Sequence, residues 1–234
     1  MAKNILFVMN STENKKVFRN EKGLLGEVSF SLPQCQGKVR KSSTRRITGF
    51  YSMLRVQTLR DAKSRLQKLA ERRQDAESFH PFAVSVVCAI SYQDDRYLSV
   101  IRDRSEKRTN EPEVVFRRSD IWDIKSGFPV LWEDLFIQKP PKAAKILSLI
   151  HEMCKSQGDE GIEGTIHKLR LHFDREQYYL TPDSIVFYFQ PGTLAPPDRG
   201  CLLFPISFGT LGIRLASCPN ATRPRLRRLQ FLPD

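Results

Sequence analysis

The sequence lacks the features on which several protein classes depend. No apolar run comes near the ~18 residues that a membrane-spanning helix needs. The apolar run Ile5–Met9 is too short for the core of a signal peptide, and no small-residue cleavage site follows it, so it predicts a strand. The sequence as it stands therefore predicts a cytoplasmic chain without a membrane span.

Paired metal ligands are also missing. The five cysteines, at positions 35, 88, 154, 201 and 218, include no Cys-x-x-Cys pair, which predicts reduced thiols and no zinc site. The four histidines include neither His-x-His nor His-x-x-x-His. The acidic segment 159–163 lies between glycines but lacks the ligand spacing of a calcium loop. We expect no metal and no cofactor.

Catalytic signatures are missing as well. Catalysis needs acid, base or nucleophilic groups that converge on one place. Ser99 and Ser207 have neither a Gly-x-Ser-x-Gly elbow nor a base near them in the sequence. Asp94, Asp95 and Asp183 fall at predicted turns. We therefore expect a protein that is not an enzyme.

Positive charge, in contrast, is abundant. Lys and Arg number 38 against 26 Asp and Glu, so the net charge is +12, which favours polyanionic partners. Twelve of the basic residues fall within residues 38–73, where only Asp61 and Glu71 oppose them. Four arginines between positions 223 and 228 follow Arg214 and predict a basic Arg/Pro-rich tail at 214–234.

Two principal helices are predicted. From Thr44 to about Ser78, apolar residues recur mostly at three- and four-residue steps, and no Gly or Pro interrupts after Gly49. Such a helix is long for a globular domain, so we expect a break near residues 57–58. Residues 142–157 show a second amphipathic helical pattern.

The first turn of the long basic helix predicts an anion site. Arg45 and Arg46 occupy a position where the helix dipole disfavours cations, and the hydroxyls of Ser43 and Thr44 can bind an anion there. Arg55 lies farther along the same helix. A solvated basic face without any function explains the same pattern, and both interpretations stay open.

Residues 178–205 are the most informative stretch. Tyr178–Leu180 and Ile185–Phe189 are aromatic and β-branched, and residues 181–184 predict the turn of a hairpin. A loop with three prolines and two glycines follows, and then a third apolar run, 201–204. We expect all of these strands to lie in one mixed sheet.

The loop 190–200 has two open interpretations. It presents a binding surface, or it is a rigid connection that closes the sheet. If it binds, the candidate partner-binding residues are Gln190, Pro191, Leu194, Pro196, Pro197 and Arg199.

Strands followed by helices and more strands, joined by tight turns, indicate an α+β fold. We predict a mostly antiparallel mixed sheet packed against helices 44–78 and 142–157. The chain divides into four predicted segments: a flexible arm or short strand at 1–22, a strand and the long basic helix at 23–80, a sheet domain at 81–213, and the tail at 214–234.

Three motifs resemble one known family. They are Tyr97–Ile101, Asp120–Gly127 with Leu131–Phe136, and Tyr178–Pro205. Together they resemble the C-terminal domain of the RsiV family, which includes extracellular domains of lysozyme-sensing anti-sigma factors and accessory domains of some peptidoglycan deacetylases. The resemblance implies an α+β domain that binds a protein or a cell-wall-type ligand. The family's Gly-Gly-Ala-His loop is replaced here by residues 109–113, Thr-Asn-Glu-Pro-Glu.

Two functional hypotheses follow. The first is a non-catalytic ligand- or protein-binding domain of RsiV type, with loop 190–200 as its contact surface. The alternative is a polyanion- or nucleic-acid-binding protein that acts through helix 44–78 and the tail. Lysozyme is a cationic protein and a net charge of +12 repels it, so it is disfavoured as a partner.

Overall fold

The chain has an α+β fold with open, mostly antiparallel sheets, which confirms the predicted fold class. A computed structural model describes residues 6–9, 14–36, 42–157 and 165–216. The expectation of one mixed sheet is wrong, because the strands of the described residues form three separate sheets of five, three and two strands. The predicted tail from residue 217 and the acidic segment 159–163 lie outside the described residues.

The largest sheet has five strands in the order β2-β3-β5-β6-β7. Among the described strands of this sheet, β3 and β5 pair parallel and the other neighbours pair antiparallel. Its strands are β2 (Asn14–Asn20), β3 (Gly23–Ser31), β5 (Phe82–Gln93), β6 (Tyr97–Lys107) and β7 (Val114–Asp123). A short antiparallel pair, β1 (Leu6–Met9) and β4 (Pro33–Gln36), makes up the two-stranded sheet.

The aromatic hairpin predicted around residue 181 is confirmed. Its strands are β8 (Tyr178–Leu180) and β9 (Ser184–Phe189), which pair antiparallel, and the main-chain N–H of Thr181 donates to the carbonyl of Ser184 at 2.9 Å. β10 (Leu202–Ser207) pairs with the other side of β9. The hairpin and the third strand therefore form a sheet of their own.

Both principal helices are present. The first comprises α1 (Ser42–Asp61), a π-helical turn (Ala62–Leu66) and α2 (Gln67–Arg73), and the second is α3 (Ala143–Gln157). The predicted break near residues 57–58 is wrong, because the irregularity is the π-turn, four residues later. Two shorter helices are α4 (Ile166–His172) and α5 (Phe208–Leu211).

Three local expectations are wrong. The polar stretch after residue 10 is not all a mobile arm, since residues 14–20 form β2 against β3. The charged composition of residues 102–112 predicts a loop, which is wrong for the first part of this segment, because β6 continues to Lys107. Apolar and polar residues alternate at 169–173, which predicts a strand, but this prediction is wrong because the segment belongs to α4. Thr165 caps this helix by accepting a hydrogen bond from Lys168, and the helix buries Leu169.

The five-stranded sheet is covered on both faces. α1, the π-turn and α2 bury Ile47 and Leu66 against one face, which carries residues such as Val28 and Val100. On the opposite face, the β8–β9 hairpin packs against Ile101. A further core surrounds Trp132, which is fully buried between the three-stranded sheet and α3. Within the described residues no helix is long and apolar enough to cross a membrane.

Candidate functional site

The loop between β9 and β10 begins with Gln190, whose side chain hydrogen-bonds to the edge of a sheet as a neighbouring strand would. Strand β7 lies at the edge of the five-stranded sheet. The Gln190 amide bonds both main-chain groups of Arg117 on that edge: its Oε1 accepts from the N–H at 3.0 Å and its Nε2 donates to the carbonyl at 2.8 Å. These two bonds fix the start of loop 190–200 on the larger sheet.

The loop is also fixed from within. The Thr193 hydroxyl donates to the Gln190 carbonyl at 2.7 Å. Leu194 is 2% exposed and belongs to the core around Trp132. Gly192 has a φ of +78°, which suits glycine, and a Cβ there would lie 3.3 Å from the ring of Pro197. The loop is therefore held in one conformation by its own contacts.

The exposed part of the loop is its apex. Residues 196–199 are all exposed, and the last three form a 3₁₀ turn (Pro197–Arg199). Of the six predicted partner-binding residues, the apex therefore contains Pro196, Pro197 and Arg199. Leu194 is a core residue and offers no surface, so its assignment as a contact residue is wrong.

The predicted anion site is not an open helix end. Ser43 and Thr44 are buried. Gly127, with a φ of +73°, packs so closely on Ser43 that a Cβ would overlap the Ser43 main chain. The Arg46 guanidinium donates to the Ser126 carbonyl at 2.7 Å. A turn of the chain itself thus covers the start of α1.

The five candidate anion-binding residues are not gathered into one cluster. The Arg46 guanidinium lies 4.4 Å from the centre of the Phe128 ring, whereas Arg55 lies 5.8 Å from the ring of Phe30 on β3. Arg45 is exposed at the first turn. Anion binding by Arg45 and Arg46 stays a prediction, now without the hydroxyls of Ser43 and Thr44.

Next to the loop, the two sheets meet through tyrosines. Tyr179 and Tyr188 stack with ring centres 6.3 Å apart, and the Tyr188 hydroxyl lies 3.2 Å from the Ser119 hydroxyl on β7. Burial raises the pKa of both tyrosines. Both phenols are therefore neutral at pH 7 and serve as packing and hydrogen-bonding groups.

Sequence reasoning missed an ion-pair cluster on the helix-covered face of β6. Glu106, with a side chain only 8% exposed, bonds to three guanidiniums at 2.7–2.9 Å. They belong to Arg65 in the π-turn, to Arg104 and to Arg108; Asp61 also pairs with Arg65 and Arg104. A visible signal was the period of two in Arg102, Arg104 and Glu106, which places these three on one face of β6, with Arg108 directly after the end of the strand.

In the described part of the chain, no three His, Cys, Asp or Glu side chains are placed to hold a metal ion. The His80 ring lies 2.7 Å from the Ser78 carbonyl and 3.4 Å from the Asn110 side chain.

Solved structures of similar shape place this architecture among known folds. A DUF3298 family member from Bacteroides fragilis matches with a TM-score of 0.67 at 11% identity, over 92% of this chain and 95% of that one. The chain shares its fold with DUF3298 proteins. A second member, from Pseudomonas aeruginosa, matches with a TM-score of 0.58 at 11% identity, over 92% of this chain and 96% of that one. No protein-family model matches the sequence, and no curated protein matches it.

Proposed function

We propose that this chain is a non-catalytic domain that binds a protein or a cell-wall-type ligand through the loop apex, residues 196–199. The observation that carries the proposal is the contrast between the fixed base of the loop and its exposed apex. Gln190 and Leu194 tie the loop to both sheets, while Pro196–Arg199 face solvent. A preorganised loop loses little conformational entropy on binding.

The similar structures support a role of RsiV type. The DUF3298 family includes the RsiV C-terminal domain. Three motifs that resemble that domain form structural parts of this fold: Tyr97–Ile101 starts β6, Leu131–Phe136 supplies Trp132 to the core, and Tyr178–Pro205 forms the three-stranded sheet with its loop. A binding role fits a shared framework that carries an exposed loop.

The charge of the chain limits which proteins can be its partner. The net charge of +12 repels cationic proteins such as lysozyme. The apex itself carries one acidic and one basic side chain, Asp198 and Arg199. We infer a partner that is neutral or acidic overall, and we expect no binding to lysozyme at physiological salt.

A pair of matched double variants tests the proposal. Asp198→Ala with Arg199→Ala removes one charge of each sign from the apex. Glu152→Ala with Lys155→Ala does the same on the exposed surface of α3, where the two side chains pair at 3.3 Å. Both double variants should keep the wild-type melting temperature.

Two probes cover the two ligand classes. Co-sedimentation with purified peptidoglycan sacculi detects a cell-wall ligand, and a photo-crosslinking amino acid at position 198 detects a protein. We expect at least one probe to bind the wild type and the α3 variant but not the apex variant. Equal binding by the apex variant, or no binding by any form, would contradict the proposal. Release of reducing ends or acetate from the sacculi would contradict the non-catalytic part.

A further inference from the structure

The outward side of α1 carries a small apolar patch. Met53 is 58% exposed and Val56 is 50% exposed, and because they are three residues apart their side chains are neighbours on the helix surface. Gly49 lies about one turn before Met53, and a Cβ there would meet nothing within 4 Å. The glycine therefore leaves room beside two exposed apolar side chains for a side chain of another molecule.

Arginines lie at both ends of this patch. Arg45 and Arg60 are exposed and form no ion pair or hydrogen bond with the described residues. The acidic residue of α1 is Asp61, at its last position, and that carboxylate already pairs with Arg65 and Arg104. The outward side of α1 is therefore basic at both ends of its apolar centre, with no carboxylate of its own to oppose it.

The spacing of these residues follows the turns of the helix. Positions 45, 49, 53, 56 and 60 recur at steps of four and three residues, which is the spacing that lines one side of an α-helix. At 1.5 Å per residue they extend over about 22 Å. These five positions are named the α1 stripe.

The opposite side of the same helix is already packed. Ile47 and Tyr51 are buried in the core that α1 shares with Val100 and Trp122 of the five-stranded sheet. The β8–β9 hairpin, from which loop 190–200 extends, lies on the other face of that sheet. The α1 stripe is thus a second surface, and it does not depend on the binding role of the loop apex.

Charge and shape favour one class of occupant. A second copy of this chain would bring arginines against arginines, and like charges repel. Membrane-surface helices bury a wide apolar face, whereas α1, which is described in full, exposes Met53 and Val56 as its large apolar side chains. Single-stranded nucleic acids stack on aromatic side chains, and the α1 stripe contains none. An acidic protein surface matches both the charge and the narrow apolar centre.

We propose that the α1 stripe binds an amphipathic helix of a partner protein, with acidic side chains at both ends of a narrow apolar face. Side chains of such a helix recur at the same three- and four-residue steps, so they pack into the grooves of α1. Its apolar side chains contact Met53 and Val56, and methionine adapts its shape to a partner. Its carboxylates pair with Arg45 and Arg60, since a guanidinium matches a carboxylate in a bidentate geometry.

A methionine methyl group reports this contact directly. The full chain, labelled with ¹³C at its methionine methyl groups, would be titrated with a blocked helical peptide that carries leucines at three- and four-residue steps and glutamates at both ends. A length of about 15 residues matches the stripe. We expect a saturable shift of the Met53 signal and none of the Met153 signal, which comes from α3. A peptide of the same composition in scrambled order should bind roughly tenfold more weakly, because it has no apolar side.

The same signal separates the other occupants. Vesicles of phosphatidylserine and phosphatidylcholine, duplex DNA, and higher concentrations of the chain itself would each be tested without the peptide. The absence of a saturable Met53 shift with the helical peptide would overturn the proposal, as would equal binding of the scrambled peptide. Tighter binding of the vesicles, of the DNA or of a second copy than of the helical peptide would also overturn it.

A matched pair of double variants tests the apolar centre. Met53→Ser with Val56→Ser should weaken binding of a fluorescent helical peptide by roughly tenfold or more, because it removes the apolar surface that the peptide buries. Val114→Ser with Leu171→Ser removes two other exposed apolar side chains and should leave binding unchanged. Both double variants should keep the wild-type melting temperature. Equal affinity in the two would contradict the site.

A second matched pair tests the charges. Arg45→Glu with Arg60→Glu should weaken peptide binding by roughly tenfold or more, since both ends of the stripe would then repel the glutamates. Lys139→Glu with Lys142→Glu makes the same change in net charge at exposed positions elsewhere, and should bind the peptide more tightly than the stripe variant. Equal weakening by the two would show that net charge alone attracts the peptide, which would overturn the site.

Discussion

The side-chain amide of Gln190 forms hydrogen bonds with both the main-chain N–H and the main-chain carbonyl of Arg117. An edge strand presents unpaired main-chain groups, which invite association with other chains. Farther along β7, the segment 128–130 bonds the main chain of Ile121 and Asp123 in the same way. The Gln190 side chain and the segment 128–130 thus both cover main-chain groups at the edge of β7. The Gln190 bonds also anchor loop 190–200.

Replacement of Gln190 by glutamate should loosen the loop. A carboxylate can still accept from the Arg117 N–H but cannot donate to the Arg117 carbonyl, so one partly buried bond is lost and two oxygens face each other. We expect a loss of about 1–3 kcal/mol in the free energy of unfolding and faster amide exchange across residues 190–200. Urea unfolding and hydrogen exchange measure these effects, with Asp198→Ala at the exposed apex as the control. Unchanged exchange would show that Gln190 does not anchor the loop.

The Glu106 carboxyl makes the free energy of unfolding depend on pH in the acidic range. Burial would raise the pKa of its carboxyl, but hydrogen bonds from Arg65 and Arg108 and the charges of Arg65 and Arg104 lower it below its ordinary 4.5. A carboxyl whose pKa is lower in the folded state than in the unfolded state contributes its full stabilisation of the fold at pH values above the unfolded-state pKa. That stabilisation is lost as the pH falls below 4.5 through the folded pKa.

The variant Glu106→Gln should remove the part of the folding stability that is lost at acidic pH. At pH 7 it leaves three guanidiniums around a neutral amide, and we expect a cost of roughly 3–5 kcal/mol. Below pH 4 the difference from the wild type should shrink, which urea unfolding at several pH values measures. Glu152→Gln, in an exposed ion pair on α3, is the control and should change stability by less than about 1 kcal/mol. A pH-independent difference would contradict the assignment.

Local signals were strong enough to predict part of the fold. The β8–β9 hairpin has aromatic strands around a Thr-Pro-Asp-Ser turn, and α3 has a clear helical period. Both elements are specified by residues that are close together in the chain, so their secondary structure can be predicted from a single sequence. The second half of β6 is different: Arg104 and Glu106 resemble a charged loop until their partners, Asp61 at the end of α1 and Arg65 in the π-turn, are known.

The candidate site was less predictable for the same reason. The exposed apex residues Pro196, Pro197 and Arg199 follow from loop composition. The burial of Leu194 and the clamp by Gln190 depend on contacts with residues far away in the chain.

Gly127 should be sensitive to any side chain. Its φ of +73° disfavours L-residues, and a Cβ would overlap the main chain of Ser43 at the start of α1. We expect Gly127→Ala to lower the free energy of unfolding by roughly 1–3 kcal/mol. Gly49→Ala is the matched control, because a Cβ there meets nothing within 4 Å. Since alanine favours helix, this control should stabilise α1 by about 0.5–1 kcal/mol. Equal effects at the two positions would show that the turn does not pack on the helix start.

Heparin retention tests the alternative of polyanion binding. Lys63 and Lys68, near the π-turn, are exposed and form no ion pair with the described residues. If α1 and α2 bind polyanions, Lys63→Glu with Lys68→Glu should elute at clearly lower salt than the wild type, because fewer counterions are released on binding. Lys139→Glu with Lys142→Glu makes the same change in net charge elsewhere. We expect both double variants to elute alike, since net charge alone attracts the chain to the column. A selective loss in the helix variant would favour a polyanion site over the loop apex as the functional surface.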